Sequence, residues 1–394
     1  MTCFRKALII SVFSGGLVAA PTTAWGQSAP ARFSFLSETI FEFEADLDLV
    51  VGVGESAVRK DSPYADLTLR GSSETLTDQG WRYGAELEAR LTSGDGHRGL
   101  ARPGLTGPGV SGRPVAGLLT GLSGEAGLDD ASARVIADQA QVYLQTAWVK
   151  LRAGLGETAA ELEASDPLTV FRLTRALGGE FDLSGLNIAD TGLTLADAAP
   201  TVSVQSQRIV GLRFAASFAP DSDPCAQACH PAGPEVLRAD LGAIWSVAAS
   251  FDRRAPSTGV RWNASLGFEA AQAEGPVAAL FDDPWLMRGA LVRQSGDLTL
   301  SLSGLTGSDG YQDAEYDSLG FGLAYEQGDW LYGAELGYGQ SDLVGAETVS
   351  VLLGVSRLVG ANGLLGLGVM SVRESAGGTD RDSVQVLVET GLRF

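Results

Sequence analysis

The sequence lacks the features that define helical membrane proteins and nucleic-acid-binding proteins. After the first 26 residues, no stretch reaches the roughly 18 uncharged apolar residues that a membrane-spanning helix requires. Positive charge is scarce, with 28 Lys and Arg against 48 Asp and Glu and a net charge of −20. Because binding to nucleic acid needs clustered Lys and Arg to neutralise phosphates, this balance excludes it. No Pro- or Ser-rich linker divides the chain, so we predict one mature domain.

Histidine is also scarce, and its positions argue against an enzyme. His97 and His230 are the two histidines, and both lie in the loop sequences GDGHRG and ACHPAG. A hydrolase of the serine type needs a nucleophile beside a base and an orienting group. The stretch GPGVSG shares its glycines with a dinucleotide fingerprint, but it neither follows a buried strand nor opens a helix. We therefore predict no enzymatic activity, no cofactor and no metal site.

Two of the three cysteines, Cys225 and Cys229, lie close together in the stretch DPCAQACHPAGP. In an oxidising compartment, a disulfide that closes a small loop is the simplest interpretation. A haem-attachment pattern would have two residues between the cysteines instead of three. A pair of free thiols is the other alternative.

Residues 1–26 have the three-part layout of a secretory signal. Arg5 and Lys6 precede the apolar run ALIISVFSGGLVAA, and small residues at Ala24 and Gly26 then offer a cleavage site. We expect cleavage near Gly26, which would leave a mature domain of residues 27–394. An uncleaved N-terminal anchor is the alternative.

The sequence closes on DSVQVLVETGLRF, in which apolar and polar residues alternate. Val384, Val386 and Val388 fall on one parity, whereas Gln385 and Glu389 fall on the other. A strand with this period has one apolar and one polar face. The same alternation recurs along the chain and predicts sixteen strands. Their starting points lie near residues 43, 63, 81, 138, 148, 201, 209, 237, 259, 286, 297, 316, 330, 346, 362 and 382.

The links between these strands alternate in length. Links after even-numbered strands are mostly brief, such as SGD and QGD, whereas the longest follow odd-numbered strands, notably residues 93–137, 157–200 and 219–236. This alternation is typical of a transmembrane β-barrel with short periplasmic turns. Indole side chains prefer the membrane interface, and most tryptophans are predicted to lie near the short turns, with Trp285 at the opposite end. The tryptophans predicted near the short turns are Trp81, Trp148, Trp245, Trp262 and Trp330.

Three stretches carry a resemblance to a known family. They are SPYADLTLRGSSETLTDQGWRYGAELEARL, TVSVQSQRIVGLRFAASFAP and the terminal VETGLRF. These stretches resemble the bacterial porins of Gram-negative outer membranes, and the resemblance covers most of the mature chain. It implies an all-β, transmembrane antiparallel β-barrel of about 16 strands, usually a homotrimer, with an inward-folded third long loop. It also implies that Phe394 belongs to the signal by which the barrel-assembly machinery recognises the chain.

In that family the third long loop narrows the pore, and its acids face basic residues on the barrel wall. Of the eight acids in this loop, the candidates for the constriction are Glu157, Glu161, Glu163, Asp166, Glu180 and Asp182; Asp190 and Asp197 are the other two, and the loop has two bases, Arg172 and Arg175. The wall bases of matching parity are Arg70, Arg82, Arg90, Lys150 and Arg152. Charges opposed in this way would set up a transverse field that disfavours apolar solutes while ions pass. Local pairing of the same charges is the alternative.

The sequence therefore predicts an outer-membrane porin for passive diffusion of ions and small hydrophilic solutes. A barrel of sixteen strands is wide enough to leave an aqueous channel. Acids on the inward parity outnumber bases, which predicts a weak preference for cations. One alternative is a substrate-selective channel. The other is a non-conducting barrel that serves as adhesin or envelope anchor, for which the long glycine-rich loop at residues 93–137 leaves room as a plug.

Overall fold

The computed structural model describes residues 31–36, 39–55, 63–93, 107–124, 134–165, 169–179, 181–182, 184–196, 199–222 and 236–394. These ranges contain nineteen strands, the short helix α1 (Ala159–Leu162) and a 3₁₀ turn at Ala278–Leu280. The strands are β1 (Ala31–Leu36), β2 (Thr39–Glu55), β3 (Tyr64–Leu76), β4 (Arg82–Ser93), β5 (Gly109–Val110), β6 (Arg113–Pro114), β7 (Arg134–Gln145), β8 (Val149–Gly156), β9 (Ala199–Ser206), β10 (Leu212–Ser222), β11 (Asp240–Arg254), β12 (Arg261–Glu274), β13 (Trp285–Ser295), β14 (Leu298–Ser308), β15 (Glu315–Gln327), β16 (Trp330–Ser341), β17 (Ala346–Val359), β18 (Gly363–Ala376) and β19 (Thr379–Arg393). Within the described ranges, no helix is long and apolar enough to cross a membrane.

Sixteen of the described strands form one closed antiparallel barrel, as predicted. Strands β2 to β4 and β7 to β19 pair in chain order, and β19 returns to pair with β2. The pairing continues to the last residue, where Phe394 and Ala45 exchange two backbone hydrogen bonds of 2.8 and 3.1 Å. Closure leaves these strands without an unpaired edge, which an apolar solvent would penalise heavily.

The two faces of the barrel wall are inverted relative to a soluble protein. In β19, Val384 and Val386 are 54% and 48% exposed, whereas Gln385 and Glu389 are 1% and 0% exposed. A soluble sandwich would bury the valines, because removing apolar surface from water drives its folding. The exposed apolar parity of this barrel is therefore the one that meets lipid, and the polar parity points inward.

Short turns close one end of the barrel, and the longest links lie at the other. The β13–β14 and β15–β16 hairpins turn over two residues each, Gly296–Asp297 and Gly328–Asp329. Both glycines have φ of +60°, a conformation that side chains with a Cβ rarely adopt. The Gly-Asp pairs in the brief links SGD and QGD therefore suit two-residue hairpins.

Two features differ from the sequence-based expectations. β1 was not among the predicted strands, and its six residues are too few to cross a bilayer. It pairs with the start of β2 and is not one of the sixteen barrel strands.

The expectation that Trp245 lies near a short turn is wrong. Trp245 lies near the long-link end of β11 and packs on Phe218 with ring centroids 4.6 Å apart. β11 is 15 residues long, longer than the assumed span of about 9–11 residues, so its short turn falls further along the chain. Trp81, Trp148, Trp262 and Trp330 do lie beside short turns.

The inverted faces predict how a charge at the middle of β19 is tolerated. V386R places a guanidinium in the lipid-facing band and should destabilise the folded barrel by about 2–4 kcal/mol. The control S72R adds the same side chain on the inward parity of β3 and should cost far less. Urea titrations of both variants refolded into lipid vesicles measure the difference, and equal losses would contradict the assignment of the faces.

Candidate pore constriction

The link between β8 and β9, the third long loop, follows the inner wall of the barrel. Helix α1 lies near its start and docks through its first two amides. Ala159 donates to the Ser217 hydroxyl at 2.8 Å and Ala160 to the Ser246 hydroxyl at 2.9 Å. Both serines are on the polar, inward parity of β10 and β11, so the loop enters the barrel interior at this point.

Carboxylates of the wall hold the next part of the loop by its backbone. Glu389 of β19 accepts hydrogen bonds from the amides of Arg172 and Leu173 at 2.6 and 3.1 Å. Glu335 of β16 accepts one from the amide of Ala176 at 3.0 Å. Carboxylates bind backbone amides more strongly than neutral acceptors do, so these contacts fix the course of the loop.

Phe171 adds an apolar anchor to these hydrogen bonds. Its ring is fully buried against three inward-facing glycines, Gly354, Gly366 and Gly368. A Cβ at any of these glycines would lie 2.5–2.7 Å from a ring atom. The wall of β17 and β18 therefore has a recess for one aromatic side chain, which only glycine can provide.

The last part of the loop, on its way back to β9, contacts β15 and β12. The Tyr316 hydroxyl donates to the Ile188 carbonyl at 2.7 Å and accepts the Asp190 amide at 2.8 Å. Glu269 of β12 accepts the Leu195 amide at 2.8 Å. Among the described residues, these contacts spread over the wall from β9 to β19. Phe181 of the loop also packs on Tyr64 at the start of β3, with ring centroids 6.0 Å apart, and the rest of the wall of β3, β4 and β7 is left uncovered.

The uncovered wall carries a band of ion pairs. Arg70 contacts Asp46 at 2.6 Å and Glu88 at 2.9 Å, and Lys150 contacts Glu86 at 2.9 Å. Further pairs join Arg82 to Glu74, Arg90 to Asp66 and Arg152 to Glu86. The five bases that the sequence singled out are thus brought together on one wall, and each pairs with an acid of that wall.

One charge contact between loop and wall has the opposite polarity to the expected one. Loop residue Arg172 lies 3.2 Å from Asp48 and 3.8 Å from Asp46 of β2. Arg393 adds a second base beside them, 2.6 Å from Asp46 and 3.0 Å from Glu44. A base of the loop therefore meets acids of the wall.

The loop acids that the sequence singled out occupy different positions. Glu157 is exposed, and Glu161 completes a capping box with Thr158 at the start of α1. Glu163 is buried, accepts hydrogen bonds from wall residues and lies 3.8 Å from Arg213. Asp182 is also buried and accepts backbone amides of the loop itself. Asp166, Glu180, Cys225 and Cys229 lie outside the described residues.

Open space remains beside the uncovered wall. A cavity of about 190 Å³ is lined by Glu44, Arg70, Ser72, Glu86 and Glu88, among others. Its lining side chains belong to the inward parity of β2, β3 and β4. The cavity is therefore a charged space against the band of ion pairs, and charged linings of this kind are typical of pore constrictions.

Sequence reasoning missed the residues that hold the loop. Glu269, Glu335 and Glu389 belong to the inward-parity acids, and their alternation gives no sign of a contact with the loop; nothing in the sequence singles out Phe171. One signal was available: glycines at alternate positions of strands, as at 366 and 368, weaken a sheet unless another group approaches closely. Phe171, which packs on those glycines, lies some 200 positions away in sequence. The pattern therefore indicates a recess but not which residue fills it.

A second segment, residues 107–124, also packs at the long-link end of the barrel. Val115 forms a β-bridge with Leu237, and the Leu118 amide donates to the Asp309 carbonyl at 2.9 Å. The Asp309 carboxylate accepts the amide and the hydroxyl of Thr120, both at 2.9 Å. The tip GPGVSG forms the β5–β6 hairpin. The described part of the long loop at residues 93–137 therefore packs against the barrel of the same chain.

The fold and the charged space together define a water-filled transmembrane β-barrel channel. The profile of the Gram-negative porin family matches residues 17–390, and the chain belongs to that family. It is therefore an outer-membrane porin, a non-enzymatic channel for passive diffusion.

Solved structures agree with this fold. An anion-selective porin from Comamonas acidovorans is 14% identical, with a TM-score of 0.56 and coverage of 91% of this chain and 100% of its own. A porin structure refined at 1.8 Å resolution is 13% identical, with a TM-score of 0.51 and coverage of 90% and 100%. A mutant of Rh. blastica porin is 14% identical, with a TM-score of 0.50 and the same coverage. No curated protein matches the sequence.

The recess around Phe171 predicts a strong effect of its truncation. F171A empties a fully buried site and should destabilise the loop-bound state by about 3–5 kcal/mol. The loop should then fluctuate, and single-channel currents should become noisier. The control F214A removes an aromatic ring from the exposed outer face and should leave the noise unchanged. Quiet currents in F171A would contradict the anchoring role.

Asp309 predicts a pH dependence for the packing of residues 107–124. Burial raises the pKa of its carboxyl to about 6, against the opposing effects of the Thr120 hydrogen bonds and of Arg238. When the segment opens, the pKa returns to about 4, so the packed state binds the proton more tightly. Packing should be strongest below pH 4 and weaken as the pH rises through 6, by roughly 10- to 100-fold in the opening equilibrium.

Hydrogen exchange of residues 115–122 across this pH range, corrected for intrinsic rates, measures the effect. D309N keeps an oxygen acceptor for Thr120 and removes the titration, so its exchange should lose the pH dependence. An unchanged pH profile in D309N would show that Asp309 is not the responsible group.

Proposed function

We propose that the chain forms a general diffusion channel with weak cation preference, as a homotrimer. The constriction lies between the third long loop and the uncovered wall of β3, β4 and β7, whose ion pairs extend to β2 and β8. The observation that carries the proposal is the charged cavity beside the uncovered wall, together with the contacts of loop residue Arg172 with Asp46 and Asp48 of the neighbouring β2. The ion pairs of that wall support weak selectivity, because every base lies beside an acid and the band is nearly neutral.

The sign of the preference follows from the rest of the chain. A net charge of −20 concentrates cations at the channel entrances, since an acidic surface raises the local density of counter-ions. The homotrimer and the role of Phe394 in assembly rest on the resemblance to porins. Export after cleavage near Gly26 rests on the layout of residues 1–26.

The absence of an aromatic row favours a general channel over a sugar-selective one. Tyr143 is an inward aromatic of the uncovered wall, and it contacts Lys150, whose Nζ lies 4.1 Å from the ring centroid. A stacking path for sugars would need several such rings in succession. Among the described residues of β3, β4 and β7, the inward positions are instead mostly charged or small and polar.

An occluded barrel is the second candidate, and one observation favours it. Residues 107–124 and the third long loop share one apolar cluster at the long-link end, which includes Leu118, Leu122, Ile188 and Leu195. Both segments therefore narrow the same entrance. A barrel that inserts correctly but carries no current would support this candidate.

Paired variants of the ion-pair band test the proposal. R70Q removes the base that contacts Asp46 and Glu88, so those acids act unopposed and the cation preference should rise. E88Q removes one of the acids and should lower it. Because salt screens charges over about 8 Å at physiological ionic strength, we expect changes of about twofold in the permeability ratio. Reversal potentials in a salt gradient measure both, and shifts of the same sign would contradict the placement of the pair in the pore.

A further inference from the structure

A second cavity lies behind the third long loop, on the side away from the ion-pair band. It has a volume of about 120 Å³ and lies between loop residues 160–165, 169–178 and 190–192 on one side and the inward faces of β12 to β16 on the other. The lining side chains that the argument uses are Arg175 and Asp190 of the loop and Arg288 and Glu335 of the wall. We refer to it as the loop cavity.

Three charged side chains of the loop cavity have atoms without a protein partner. Arg288 and Glu335 are each only 8% exposed. The Nη2 atom of Arg288, the Nε atom of Arg175 and the Oε1 atom of Glu335 are buried and make no hydrogen bond. Buried charged atoms in this state are costly unless a ligand or water satisfies them.

The other atoms of the two wall residues are used to hold them in place. Arg288 donates through Nη1 to the Gly192 carbonyl at 3.4 Å. Glu335 accepts the Ala176 amide through Oε2 at 3.0 Å. One end of each group is therefore fixed to the loop, and the unpaired end is left for whatever occupies the cavity.

The size of the loop cavity fits a small solute. A water molecule takes about 30 Å³ in the liquid, so the space suits roughly four waters or a solute of similar size. Gly289, Ser301 and Ser303 line it, and their short side chains leave the centre open. Thr191 and Gly192 at its edge are partly or fully exposed, which gives a solute access from the lumen.

The charges of the lining restrict the chemistry of that solute. Arg175 and Arg288 offer donors to an anion, but Glu335 and Asp190 would repel one. A simple cation would meet the same difficulty with the arginines. Arg175 and Glu335 attract each other as opposite charges, but an uncharged polyol would supply no charged partner for the atoms of Arg288, Arg175 and Glu335 that make no hydrogen bond. A solute with a carboxylate and an ammonium group close together satisfies donors and acceptor at once.

We propose that the loop cavity binds a small zwitterion of the α-amino acid type. The carboxylate contacts Arg288 Nη2 and Arg175 Nε, and the ammonium group contacts Glu335 Oε1. Small side chains such as those of glycine and alanine fit the volume. The site goes beyond diffusion through the pore, because it lies behind the loop and not in the charged space beside the uncovered wall.

Saturation-transfer NMR on the full chain, refolded in detergent, tests the proposal with three probes of matched size: L-alanine, propionate and ethylammonium. Alanine should bind saturably and more tightly than either singly charged probe. E335Q keeps the acceptor for Ala176 but removes the partner of the ammonium group, so the affinity for alanine should fall about tenfold or more. The preference should then shift to propionate. R288Q should shift it to ethylammonium.

The control R261Q removes an arginine that pairs with Asp252 near the short turns, away from the loop cavity, and should leave alanine binding unchanged. Folding of each variant is checked by resistance of the barrel to denaturation by detergent without heating. Equal binding of propionate and alanine to the unmodified chain would overturn the proposal, as would the absence of saturable binding. These readouts do not use ion current, so a failure here is distinct from a failure of the proposed diffusion function.

Discussion

The structure depends on one constraint, which is that every backbone group of the wall must find a partner inside the protein. In lipid no water is available to satisfy an open strand edge, so β19 must return to β2. The seam runs to the last residue, where Phe394 and Ala45 pair through both of their backbone groups. Closure in turn fixes which parity faces lipid and which faces the interior, and the interior parity carries the polar and charged residues that hydrate a channel.

The same closure turns the inner wall into a template for the third long loop. A loop that enters the barrel brings unpaired amides with it, and buried carboxylates of the wall accept them at Glu269, Glu335 and Glu389. Glycines on β17 and β18 open a recess for Phe171. The loop is thereby held on one wall, and the charged space beside the other wall is left for solutes.

The barrel could be predicted from the sequence because its signals are local. The alternation in segments such as DSVQVLVETGLRF marks each strand, and all sixteen predicted starts lie within four residues of the observed ones. The course of the loop could not be predicted, because it is set by contacts between residues far apart in sequence, such as Arg172 with Glu389 and Asp48. For the same reason, the partners of the wall bases could not be predicted from the sequence. The resemblance to porins implied that loop acids face these bases, whereas the structure pairs the bases with acids of adjacent wall strands.

The central claim is that the described loops leave a conducting path beside the wall of β3, β4 and β7. Single-channel recording of the refolded, unmodified chain in a planar bilayer tests it most directly. The account predicts stepwise openings whose conductance rises linearly with salt concentration, as expected for ions in a water-filled space. A barrel that is shown to be correctly folded and inserted in the bilayer, yet passes no current, would contradict it.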